Sequence, residues 1–66
     1  MNYLLKALVA KLKGEVAVSK ANIQVYMLNS AGIGEHPGIV EAIETEVEKL
    51  ANAEEKIETI QKHFSK

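Results

Sequence analysis

The stretch "NSAGIGEHPG", Asn29 to Gly38, decides how this chain folds: it holds three of the four glycines and the only proline. On its N-terminal side, Tyr3 to Leu28 contains no proline and a single glycine, Gly14. On its C-terminal side, Ile39 to Phe64 contains neither. Both flanks have strongly helical composition, and the spacing predicts a helix over about residues 2–29, a connector at 30–36 and a second helix at 37–64. Two stretches of similar length joined by a short connector are the mark of an antiparallel helical hairpin. The expected fold is therefore all-α, a single domain over residues 1–66.

Gly32, Gly34 and Gly38 form a G-x-G-x-x-x-G pattern ahead of a helix, which superficially resembles a phosphate-binding loop. The context argues against it. Such loops follow a strand, and the P-loop ends in Lys and Ser/Thr; here a helix precedes, Pro37 lacks a backbone donor and Glu35 repels phosphate. The residues fit a turn better. Gly32 suits the left-handed end of the first helix, Gly34 lets the chain reverse, Ile33 can fold back on the bundle end, and Pro37 suits a first helical position. Glu35 and His36 exceed what a turn needs, and they are the candidate partner-contact residues.

A chain of 66 residues buries only about 60 % of its unfolded surface, so one small core is marginal. Without cysteine there is no disulfide, and no Cys/His cluster offers a structural metal. Oligomerisation is the remaining support. The expected completion is a homodimer forming a four-helix bundle. No metal or cofactor is expected, since neither His36 nor His63 stands in a Glu-x-x-His pattern. No Ser/His/Asp or Cys/His set is available, and glutamates on an exposed helix have no pocket to act in, so enzymatic activity is not expected.

At 100° per residue, Leu5, Leu8, Leu12, Val16, Ile23, Tyr26 and Met27 share one face of the first helix, with Val9 at its edge. Those spacings depart from a strict heptad, which predicts straight or stuttered packing. A second seam runs nearly opposite through Ala7, Ala10, Gly14, Ala17 and Ala21, small enough for another backbone to approach closely. In the second helix Ile39, Ile43, Val47, Leu50, Ala53, Ile57, Ile60 and Phe64 make the inner stripe, Val47 taking the place that Glu46 would have. Glu41, Glu44, Glu48, Glu55 and Glu58 fall on the outer side. In a hairpin bent near residue 33, Leu28 meets Ile39, Ile23 meets Ile43, Val16 meets Leu50, Leu12 meets Ile57, Leu8 meets Ile60 and Leu5 meets Phe64.

The net charge of −1 hides an asymmetry. Residues 1–30 carry four lysines against Glu15, and residues 35–66 carry eight glutamates against four lysines. Pairing of the basic half with the acidic half, within or between chains, is the favoured consequence. The alternative is a nucleic-acid or anionic-membrane surface built on Lys6, Lys11, Lys13 and Lys20, of which Lys6, Lys13 and Lys20 line one strip; the lack of arginine weighs against it. The run "MNYLLKALVAKLK" is broken by Lys6 and Lys11 and has no cleavage-site context, so a cytoplasmic protein is expected.

The stretch "GIGEHPGIVEAIETEVEKLANAEEKIETIQKHF", Gly32 to Phe64, resembles small uncharacterised proteins of marine tailed phages, similar to those of cyanobacterial phages. The resemblance covers about half the chain, and G-I-G-E-H-P is its sharpest part. It implies a viral or environmental source and a host-cytoplasm setting, and it carries no activity or catalytic residue with it. The function expected is a non-enzymatic interaction or assembly protein, a viral accessory acting as a helical-hairpin oligomer.

Overall fold

The computed structural model describes residues 2–28 and 38–65. They form two helices of 26 residues each, α1 (Tyr3–Leu28) and α2 (Ile39–Phe64). Asn2 starts α1: its Oδ1 accepts a hydrogen bond from the Leu5 backbone N–H at 2.9 Å, which satisfies one of the orphan donors of the first turn. At the start of α2, Gly38 lends no side chain, and only its carbonyl joins in, accepting from Ala42 N–H at 2.9 Å. Charges complement the dipole of α2 instead, with Glu41 in its first turn and Lys62 and His63 in its last. The expected glycine, Ile33 and Pro37 roles in the connector lie outside the described residues.

The helices pack antiparallel along their length. Val9 and Leu12 near the start of α1 share a core with Ala53 and Ile60 near the end of α2, with Leu5, Val16 and Ile57 against it. Further along, Asn22 of α1 reaches Glu46 of α2. The least exposed positions of α1 are Leu5, Val9, Leu12, Val16, Ser19, Ile23 and Tyr26, and those of α2 include Ile39, Ile43, Glu46, Leu50, Ala53, Ile57 and Ile60. Both series alternate steps of four and three. That is a seven-residue repeat, which keeps one seam facing its partner over many turns.

This corrects the expected inner faces at six residues. Val9 is buried and Leu8 is not; Met27 and Phe64 are both exposed; Glu46 is buried, whereas Val47 is 47 % exposed. The expected departure from a heptad disappears with them. An apolar-only criterion skips Glu46 in favour of its neighbour Val47; Leu8 and Val9 are both apolar, so only packing against α2 chooses between them, and Met27 and Phe64 lie at the ends of their helices. With the two polar residues admitted, the seam runs straight.

Candidate functional site

The polar residues that the seam admits lie together. Ser19 is 3 % exposed on α1, and Glu46 is 9 % exposed on α2. The Glu46 carboxylate accepts from Asn22 Nδ2 at 3.2 Å across the helices, and Lys49 Nζ, one turn along its own helix, approaches at 3.5 Å. Among the described residues no buried side-chain nitrogen or oxygen is left without a partner. A buried carboxylate is costly unless its lone pairs are matched, and here two donors reach it from the rim of the seam. A polar group at one inner position of a coiled coil penalises slipped registers, because slippage would bury it without its donors. The interruption therefore aligns the hairpin.

A groove of about 400 Å³ opens beside this layer. Ser19, Asn22, Glu46 and Lys49 line it together with Lys11, Gly14, Glu15 and Val18 of α1. Lys11 Nζ donates to Glu15 Oε2 at 2.6 Å, one turn along the helix. The Glu15 carboxyl is held below the usual glutamate range, first by that hydrogen bond, then by the Lys11 charge, with a smaller contribution from Lys56 across on α2. Both ends of the pair are well exposed, so it adds little to stability.

The outer side of α1 is apolar over most of its length. The five residues of the small seam, Ala7, Ala10, Gly14, Ala17 and Ala21, are all exposed. A Cβ placed on Gly14 would meet nothing within 4 Å, so nothing in the hairpin requires glycine there, although glycine costs about 1 kcal/mol relative to alanine inside a helix. Beside the seam, Leu4, Val18 and Val25 are 67 %, 60 % and 52 % exposed. By contrast, α2 turns Glu41, Glu44, Glu48, Glu55 and Glu58 outward. A helix apolar on both sides belongs between two layers, and α1 has one.

The lysines of the basic strip, Lys6, Lys13 and Lys20, are all exposed on one edge of α1. Glu35 and His36 lie outside the described residues. His63 is exposed at the end of α2, its ring edge-on to Phe64 at 6.3 Å between centroids. Among the described residues no three His, Cys, Asp or Glu side chains gather into a metal site, and no helix is long and apolar enough to cross a membrane.

Sequence reasoning thus names the small seam and the basic strip, whose residues are exposed, and misses the Ser19–Asn22–Glu46 layer. Its signal was present. Ser19 and Glu46 each stand where the alternating steps of three and four require an inner residue. Compared with known proteins, the chain matches no family model, no curated protein and no solved structure.

Proposed function

We propose that this chain is a non-enzymatic interaction and assembly protein, working as a helical-hairpin homodimer in which two chains contribute four helices. One observation carries the reading: α1 offers an apolar outer side while the outer side of α2 is acidic. A helix of this kind gains stability by burying its second side against another chain, and the two-helix core, whose buried apolar residues are Val9, Leu12, Ala53 and Ile60, is small enough to need it. The finer assignment, a viral accessory component in a host cytoplasm, rests on the resemblance of Gly32 to Phe64 to phage proteins. Sedimentation equilibrium at micromolar concentration tests the core of the reading. Two chains per particle are expected, and a mass of one chain across the concentration range overturns it.

The exposed line of Lys6, Lys13 and Lys20 supports a second reading, attachment to nucleic acid or to an anionic membrane surface. Co-sedimentation with phosphatidylserine-rich vesicles, and retardation of duplex DNA, both at low salt, decide it. Absence of both disposes of that reading.

A further inference from the structure

We infer that the outer side of α1 is the contact surface for a second copy of this chain, packed antiparallel with a two-fold axis beside Gly14. The inference rests on the self-association reading above and adds its geometry.

The exposed surface sets the scale. A compact monomer of 7.2 kDa exposes about 4,100 Å² by the size scaling of folded proteins, and this chain exposes 5119 Å². The radius of gyration, 15.0 Å, likewise exceeds the ~11 Å of a globular chain of this length, and the molecule is a rod of 49 × 14 × 13 Å. The excess, about 1,000 Å² per chain, is comparable to the ~800 Å² that each partner buries in a standard interface. The question is which face supplies it.

The outer side of α2 does not, because covering α1 with it would bury exposed carboxylates in an apolar contact. The outer side of α1 does, and its small residues are spaced nearly symmetrically about Gly14, at −7, −4, +3 and +7 residues. In an antiparallel pair with its axis at Gly14, Ala7 stands level with the partner's Ala21 and Gly14 with the partner's Gly14. On one flank of that line Ala10 stands beside the partner's Ala17. On the other flank Leu4 stands beside the partner's Val25, and Lys11 beside the partner's Val18. Each flanking pair lies within about 1.5 Å of the same height, one residue's rise. Small residues meet at the centre, where the backbones come closest, Lys11 lies along the partner's Val18 beside them, and the branched Leu4 and Val25 meet towards the ends. A partner of unrelated sequence would impose no such reversal.

Two further observations agree. Gly14 is unexplained by the hairpin, since its missing Cβ faces open space, yet at the axis it is where two helices approach most closely. The hairpin itself is unaffected by contact here, because its own seam lies on the other side of α1.

The absence of cysteine makes the test clean. Full-length chains bearing Ala7→Cys and Ala21→Cys are mixed under oxidising conditions, and each is also oxidised alone. The mixture is expected to form the mixed disulfide in large excess over either symmetric one, because Ala7 and its own copy stand about 21 Å apart along the pair. Symmetric cross-linking of Ala7→Cys alone would show a parallel pair and overturn the geometry. A particle that sediments as two chains yet cross-links at neither position overturns the geometry and leaves self-association standing; a single-chain particle overturns both. Independently, Gly14→Glu puts a carboxylate at the axis on a position where the hairpin has room, so dissociation is expected to strengthen at least tenfold with helix content retained. Unchanged association would remove Gly14 from the interface.

Discussion

Glu46→Leu and Val47→Ala together discriminate between the two possible inner faces of α2. Replacing the 9 % exposed Glu46 by leucine buries an apolar side chain, which contributes roughly 1.5–3 kcal/mol. Against that stand the two interactions with Asn22 and Lys49, worth about 0.5–1.5 kcal/mol each. The opposing loss is at the low end, since Asn22 is exposed, Lys49 is 63 % exposed in its side chain at 3.5 Å, and both donors return to water. The expected net is a gain of about 1 kcal/mol, or roughly 4–8 °C in Tm for a domain of this size. Val47→Ala removes hydrocarbon that is already half in water, a loss of about 0.8 kcal/mol, and alanine recovers up to ~0.7 kcal/mol in helix propensity. It is expected to change stability by less than ~0.5 kcal/mol. Urea and thermal unfolding followed at 222 nm, at one fixed protein concentration because association contributes to stability, give both values. A loss above ~2 kcal/mol for Val47→Ala, with no gain for Glu46→Leu, would show Val47 inside and refute the seam described above.

Leu12→Ala, at the 2 % exposed centre of the core, is expected to cost about 2–5 kcal/mol and to leave the hairpin largely unfolded at 25 °C by circular dichroism. Asn2→Ala removes the cap on Leu5 and should cost about 0.5–2 kcal/mol in urea unfolding, with Asn2→Ser restoring most of it. The carboxyl of Glu15 sits below its ordinary range when folded, so its contribution is present at neutral pH and is lost as pH falls through the lowered value. Lys11→Met should flatten that part of the stability profile in acid titrations, and because the pair is exposed the effect should shrink in molar salt. Lys6→Gln, Lys13→Gln and Lys20→Gln combined should leave the sedimenting mass unchanged, these lysines lying at the edge of α1 and away from the seam.

The hairpin was legible before any coordinates because punctuation dominates it: proline and glycine gather between two long stretches that can only be helices, and each carries an inner stripe. The outer features were legible for a similar reason. The Ala/Gly seam, the lysine strip and the acidic side of α2 are all read from spacing on a single helix, and a helix projects its residues the same way in any context. Leu8, Val9, Glu46 and Val47 were not legible in this way. Each pair is adjacent in sequence and about 100° apart around the helix, so either member can face inward; composition favours Val47 over Glu46 and does not distinguish Leu8 from Val9.

The choice between them belongs to two helices acting together. The chain by itself determines that α1 and α2 exist, where they part, and which sides are apolar, small, basic or acidic, because these follow from local propensity and helical periodicity. Packing of one helix on the other selects the repeat that places Ser19 and Glu46 within the seam. A regular repeat keeps Leu12, Ala53 and Ile60 buried along the rod, and the Asn22 amide is within reach only when Glu46 turns inward. The gain from straight packing over 26 residues outweighs one polar layer that finds its own hydrogen bonds.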